Sequence, residues 1–178
     1  MKTKKITLPT FHEVVQTFPS PTPRKIIERL HAAHDFALEI HGDARRPSGE
    51  LHIEHDRAVA HSVGEVSVEL NSVTAGLLHD VLLSKSIDPI LKQREMERVF
   101  GSKITQMVLG LKDLEPYTTL DGTEDAQKIE KLRRAILNID DIRPLLIRMA
   151  DRVQNLYVAD YMPPEKQVAI AREANEIY

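Results

Sequence analysis

The chain has no cysteine and no tryptophan, and aromatic residues make up only 4% of it. The lack of cysteine excludes disulfides, zinc–thiolate sites and thiol catalysis, so any metal site must use nitrogen and oxygen ligands. No apolar run approaches the ~20 residues of a membrane span. The basic start Met1–Lys5 is not followed by an apolar stretch, so no signal peptide is expected. We therefore expect a cytoplasmic protein with an aliphatic core.

The charge of the chain is nearly balanced. Lysine and arginine number 24, aspartate and glutamate number 27, and the net charge is −3. This balance is not the footprint of a protein that binds nucleic acid or a membrane surface, so any basic site has to be local. At 178 residues the chain has an ordinary length for one domain with a substantial core.

Residues that typically start or end helices recur along the chain, and no stretch alternates apolar and polar residues with period two. We predict an all-α fold, with about eight helices over residues 21–178 and an N-terminal extension over residues 1–20. The third helix is predicted from Val73 to about Val81, and an exposed loop over residues 115–123. The predicted N-caps are Thr22, Asn71–Ser72, Asp88 and Asp141. The last helix has no stop signal before Tyr178, which suggests a fragment of a longer protein.

Four residues of metal-ligand type lie in apolar helical patterns: His55, His79, Asp80 and Asp151. Imidazole and carboxylate groups are the ligands that hold borderline or hard divalent cations. A charged group embedded in an apolar pattern also needs a partner. One metal ion would partner all four side chains, and we predict such a site.

Each of these residues also has a simpler interpretation. His55 alone is typical of a histidine at the edge of a core, and Asp80 alone of a carboxylate paired with a nearby cation. Asp151 has candidate ion-pair partners in Arg148 and Arg152. A further His-Asp pair, His34-Asp35, lacks a matching context and is interpreted as part of a helix surface. Three more histidines are interpreted as solvated or half-buried: His41, His52 and His61.

Four segments resemble the HD-domain metal phosphohydrolases and, more narrowly, the hydrolase domain of the RelA/SpoT family. The loop Arg46–Glu50, followed shortly by a histidine, is similar to the Arg-Lys-Ser-Gly-Glu loop of that family. Leu77–Val81 is similar to its His-Asp helix, and Leu146–Leu156 to its Ala-Asp-Arg-Leu-x-Asn helix. Glu165–Tyr178 is similar to the segment that leads into the synthetase half of the long enzymes.

The resemblance implies a function in the metabolism of the alarmone (p)ppGpp and in the stringent response. The reaction is removal of the 3′-pyrophosphate from ppGpp or pppGpp, and the metal is expected to be Mn²⁺. The four predicted metal residues take the ligand positions, and Arg46 and Asn155 are expected to hold the guanine nucleotide. Arginine suits phosphate groups and stacks on bases. A C-terminal synthetase domain is an expected partner.

The chain departs from the family where the catalytic carboxylates should stand. Active members carry a Glu-Asp pair close after His-Asp, and Leu83 and Ser84 occupy those positions here. Leucine cannot accept a proton or orient a water, so we expect the hydrolase activity to be weakened or lost. The alignment with the family over residues 82–94 is open, so Asp88 could take the place of one of the missing carboxylates. A role as a helix N-cap explains the presence of Asp88 better. Pro47 also replaces the lysine of the loop.

Two other functions stay open. In the first, the domain is an inactive metal- and nucleotide-binding module that controls an attached (p)ppGpp synthetase. In the second, it is an HD phosphohydrolase for a different nucleotide.

Overall fold

The computed structural model describes residues 7–83, 88–114, 125–137 and 140–177. These residues contain α-helices and one short 3₁₀ helix but no strand, so the predicted all-α fold is confirmed. None of the helices in these ranges has the length and apolar character to cross a membrane. In chain order they are α1 (Phe11–Gln16), α2 (Arg24–His41), α3 (His52–Val66), α4 (Leu70–Leu77), α5 (Pro89–Phe100), α6 (Ser102–Leu114), α7 (Asp125–Leu137), α8 (Arg143–Tyr157), the 3₁₀ helix (Ala159–Tyr161) and α9 (Pro164–Ile177).

Helix α1 lies inside the segment that the sequence analysis described only as an extension. Its N-cap, Thr10, forms a capping box with Glu13, a pattern that satisfies two free backbone N–H groups. Three apolar residues of this segment are buried in the same cluster as the rest of the core: Val14, Val15 and Phe18. Within residues 21–178 the described part of the chain has eight α-helices, α2 to α9, so the predicted count of about eight is confirmed. Helix α1 itself was not predicted, because a six-residue helix carries too little periodicity to be recognised.

Several helix starts differ from the prediction. Helix α4 begins at Leu70, and its cap is Glu69, whose carboxylate accepts from the N–H groups of Asn71 and Ser72. The prediction of Asn71–Ser72 as the cap was wrong, because the side chain of Glu69 is long enough to accept hydrogen bonds from both of their N–H groups. Helix α2 likewise begins at Arg24, so Thr22 is not its N-cap.

Two other caps were predicted near the ends of loops. Asp88 is the N-cap of α5, as expected, and its Oδ1 accepts from the N–H groups of Ile90 and Leu91 at 2.8 and 3.1 Å. Asp141 lies one residue before the N-cap position of α8, and its Oδ1 accepts from the N–H of Arg143 at 3.0 Å. The predicted loop over residues 115–123 lies outside the described residues.

Helices α3, α4 and α8 pack against one another and carry the residues of interest. The contact between α3 and α4 is close: a Cβ on Gly76 would lie 3.0 Å from the Cα of Ala60. Glycine therefore allows the two backbones to approach. Leu77 and Leu78 are fully buried beside this contact, which fixes the end of α4 and the turn that follows it.

Candidate metal centre

The four predicted ligand residues come from three parts of the chain and meet at one place. His55 lies in α3, and Asp151 lies in α8. His79 and Asp80 lie in a turn after α4, and not inside a helix as predicted, because α4 ends at Leu77. The chain there continues through bonds of the i→i+3 type, such as that from the N–H of Val81 to the carbonyl of Leu78 at 3.2 Å.

The side chains face one another at short distances. Nε2 of His55 lies 3.2 Å from Oδ1 of Asp151. Nε2 of His79 lies 3.5 Å from Oδ1 of Asp80 and 3.9 Å from Oδ1 of Asp151. One ligand atom from each of His55, His79 and Asp80 can be chosen so that all three lie within 4.8 Å of one another. The arrangement brings together two imidazoles and two carboxylates, which is a donor set for a hard or borderline divalent ion.

His79 provides a direct test of whether a metal ion fits this cluster. Its Nδ1 lies 2.9 Å from the carbonyl oxygen of Gly76, at hydrogen-bond distance. Its Nε2 is buried and has no hydrogen-bond partner among the described residues. A buried polar atom without a partner needs an explanation, and a ligating histidine typically donates its other ring N–H to a carbonyl or carboxylate. The residues present therefore fit a metal ion at Nε2.

Electrostatics within the cluster favour charged forms. Burial acts to raise the pKa of Asp151, but the hydrogen bond with His55 and the charges of His79 and Arg152 prevail and hold that pKa far below its usual range. Burial acts to lower the pKa of His79, but Asp80, Asp56 and Asp151 together raise it. Without a metal ion His79 and Asp151 thus stabilise each other's charged form, and a cation would take over the role of His79.

Asp151 uses its two oxygens differently. Oδ1 faces the histidines, while Oδ2 lies 3.8 Å from Nη1 of Arg148 and 3.8 Å from Nη2 of Arg152. The ion pairs considered as the simpler interpretation of this residue are therefore present. They do not compete with a role in the cluster, because they occupy the other oxygen.

The two predicted nucleotide residues lie beside the cluster and contact each other. A guanidinium N–H of Arg46 donates to Oδ1 of Asn155, and Nδ2 of Asn155 donates to Oδ1 of Asp151 at 2.9 Å. Nε of Arg46 also lies 3.4 Å from Oε1 of Glu50. The loop before α3 and the helix α8 are thus joined next to the candidate ligands, although 109 positions separate Arg46 from Asn155.

Leu83 lies at the edge of a small cavity next to His79 and Asp80. This leucine is 46% exposed, and the cavity is also lined by Arg148 and by apolar side chains of α6 and α8, among them Val108. Ser84 lies outside the described residues. Asp88 uses one carboxylate oxygen as a cap for α5, which agrees with the interpretation of this residue as an N-cap.

The other histidines behave in different ways. In the pair His34-Asp35, Asp35 is 72% exposed, as expected for a surface residue, but the side chain of His34 is only 15% exposed and packs against Phe11. His61 is half-buried and lies 3.6 Å from Glu65. The side chains of His41 and His52 stack, with ring centroids 5.2 Å apart.

Two further residues lie at this site and were not predicted from the sequence: Asp56 and Arg148. Asp56 is fully buried behind His79. A signal was available, because His55 and Asp56 form another His-Asp pair inside an apolar helical pattern. Arg148 was considered only as a partner of Asp151, but it also lines the cavity. Its position on that wall depends on the packing of α8 and has no signal in the sequence.

The fold and the His-Asp cluster define an HD domain, and comparison with known proteins agrees. The HD-domain family matches residues 33–178, and the chain belongs to that family. Within it, the resemblance to RelA/SpoT proteins is confirmed. The chain is 33% identical to the bifunctional (p)ppGpp synthase/hydrolase SpoT of Escherichia coli K12, over 95% of this chain and 23% of that protein.

Two further relatives point in the same direction. A guanosine-3′,5′-bis(diphosphate) 3′-pyrophosphohydrolase of Vibrio cholerae is 34% identical over 85% of this chain and 21% of its own length. A GTP pyrophosphokinase of Myxococcus xanthus is 30% identical over 93% of this chain and 21% of its own length. The chain spans about a fifth to a quarter of the length of these curated relatives.

Proposed function

We propose that this chain is a metal-binding HD domain that recognises guanosine tetra- or pentaphosphate, with weakened or lost 3′-pyrophosphohydrolase activity. The observation that carries the proposal is the meeting of His55, His79, Asp80 and Asp151 at one point. The buried Nε2 of His79, which makes no hydrogen bond to the described part of the chain, supports a ligand role. Relatives named for (p)ppGpp synthesis and hydrolysis support the nucleotide.

The metal is proposed to be Mn²⁺, held by these two histidines and two aspartates. When bound, a divalent cation supplies Lewis acidity towards water and phosphoryl oxygens. The other contributions to the site come from residues of the chain. Asp151 keeps its charge because the hydrogen bond with His55 and the nearby cations hold its pKa down. Asn155 fixes Oδ1 of Asp151 through its own N–H.

Nucleotide recognition is proposed to involve the cationic side chains beside the cluster. Arg46 lies next to Asn155, and Arg148 lines the neighbouring cavity. Guanidinium groups pair with phosphate oxygens in a bidentate manner. A substrate with a diphosphate group at the cluster would place its negative charge within reach of these arginines.

Weak hydrolysis is proposed because an apolar side chain stands where a proton acceptor is needed. Leu83 lies on the wall of the cavity beside His79 and Asp80. General acid–base assistance typically contributes ~10²–10⁴-fold to a rate. Asp88 does not supply it, since its carboxylate caps α5.

A second candidate function is a regulatory module that binds metal and nucleotide and controls an attached (p)ppGpp synthetase. Two observations favour it: the aliphatic side chain at position 83, and relatives that are several times longer than this chain. In this case binding would be retained and chemistry would be absent.

The two functions are separated by measuring binding and turnover on the same sample. Calorimetry with ppGpp in the presence of Mn²⁺ gives the affinity, and chromatography of the reaction gives the release of pyrophosphate. Slow turnover supports the weakened hydrolase, and binding without turnover supports the module. If neither is seen with ppGpp, a product screen over nucleoside mono-, di- and triphosphates tests an HD phosphohydrolase for another nucleotide.

A further inference from the structure

Asp56 is a fully buried acidic residue that is not among the candidate metal ligands. It lies in α3, directly after His55, and none of its surface is exposed (0%). Among the described residues, neither of its carboxylate oxygens makes a hydrogen bond. Burying a carboxylate is costly unless charged or polar partners lie close to it. The neighbours of Asp56 should therefore explain why the residue is there.

These neighbours are two imidazoles from different parts of the chain. Oδ1 of Asp56 lies 3.6 Å from Nδ1 of His79, in the turn after α4. Oδ2 lies 3.3 Å from Nε2 of His41, the last residue of α2. The side chains of both histidines are only 5% exposed. One carboxylate therefore lies between the end of α2 and the candidate metal centre.

The two nitrogens of His79 face opposite ways. Nδ1 lies on the side of Asp56 and at hydrogen-bond distance from the carbonyl of Gly76. Nε2 lies on the side of Asp80 and Asp151. A neutral imidazole with its hydrogen on Nδ1 has its lone pair on Nε2. A carboxylate on the Nδ1 side favours this tautomer and makes the other nitrogen a better donor to a metal.

We propose that Asp56 is a positioning residue for the metal centre, which holds the ring of His79 so that Nε2 faces the other ligands. His41 in turn holds Asp56. The inference rests on the proposed metal-binding function and adds a residue that acts through His79. Asp56 itself contacts neither the metal nor the nucleotide in this account.

The test compares Mn²⁺ affinity with folding stability in an isosteric variant. Asp56→Asn keeps the shape of the side chain and removes its charge. Loss of a residue that supports a metal ligand typically weakens metal binding by 10- to 100-fold, so we expect the Kd for Mn²⁺, measured by calorimetry, to rise by about that factor. Urea unfolding of the metal-free protein measures stability separately. A merely structural role would change the unfolding curve and leave the Kd of the folded protein unaltered.

Asp35→Asn is the matched control, because Asp35 also follows a histidine and lies 3.4 Å from its ring but is exposed. Its Kd should equal that of the wild type. If Asp56→Asn does not fold, Asp56→Ala is measured in the same way. A wild-type Kd in the folded Asp56 variant overturns this inference and leaves the metal site standing. Absence of Mn²⁺ binding in the wild type overturns both.

Discussion

Arg46 donates a hydrogen bond to Asn155 across 109 positions of the chain. The bond joins the loop before α3 to α8, and Asn155 continues it to Asp151. Two residues expected to hold a nucleotide are thus linked to a candidate metal ligand. A substitution in the loop can therefore also displace Asp151 at the metal centre.

Arg46→Ala should weaken ppGpp binding. Removing a charged hydrogen-bonding group costs about 1.5–3 kcal/mol, which corresponds to roughly a tenfold or larger rise in Kd. Calorimetry with ppGpp in saturating Mn²⁺ measures the change. Arg24→Ala is the control, since Arg24 is almost fully exposed and forms an ion pair with Glu28 of the same helix. Equal ppGpp affinity in the Arg46 variant and the wild type would remove Arg46 from the site.

Leu83→Glu combined with Ser84→Asp should raise the rate of ppGpp hydrolysis. A carboxylate at the edge of the cavity can orient a water and accept a proton, and such assistance is worth ~10²–10⁴-fold. Release of pyrophosphate is the measurement. The control is Leu91→Glu, because Leu91 is another exposed leucine, 59% accessible, on α5. A wild-type rate that the double variant does not improve would show that the missing pair does not limit catalysis.

Gly64→Ala should destabilise the fold by loosening α1. A Cβ on Gly64 would lie 2.3 Å from Oγ1 and 2.7 Å from Cβ of Thr17, so the segment after α1 must shift. Overpacking of this kind typically costs about 1–3 kcal/mol, against a gain in helix propensity of ~1 kcal/mol. Gly110→Ala is a milder control, with a nearest contact of 3.3 Å to Pro144. Urea unfolding should place Gly64→Ala below it in stability.

Glu69→Ala should destabilise the protein by ~1 kcal/mol, the usual loss for an N-cap. Burial acts to raise the pKa of Glu69, but hydrogen bonds from Ser72 and Asn71 prevail and lower it. A lowered pKa gives stability that is present above the unfolded pKa of ~4.3 and is lost as the pH falls through the folded value. The difference between variant and wild type should therefore shrink in acid. A difference that stays constant from pH 7 to pH 3 would contradict this role.

The helical fold and the meeting of His55, His79, Asp80 and Asp151 were predicted from the sequence. Both predictions rest on apolar periodicity and on motifs that lie within short continuous segments of the chain. Asp56 was not predicted, although the pair His55-Asp56 was visible, since the burial of a polar residue depends on what packs against it. Long-range partners of this kind are set by tertiary packing.

Helix ends were the other weak point. Glu69 caps α4 although Asn71 and Ser72 are better N-cap residues in general. The end of α4 at Leu77 likewise puts His79 and Asp80 in a turn, where the apolar pattern had suggested a continuous helix. At the start of α4 the length of the Glu69 side chain outweighed the local N-cap preference. Near its end, the close packing of Gly76 on Ala60 outweighed the local helix propensity.

The most direct test of the proposed metal centre is the Mn²⁺ content of the purified protein after equilibration with the ion. We expect about one Mn²⁺ per chain in the wild type, loss of that ion in His79→Ala, and retention of it in His34→Ala, which alters a His-Asp pair outside the cluster. No bound Mn²⁺ in the wild type, or an equal content in His79→Ala, would contradict it.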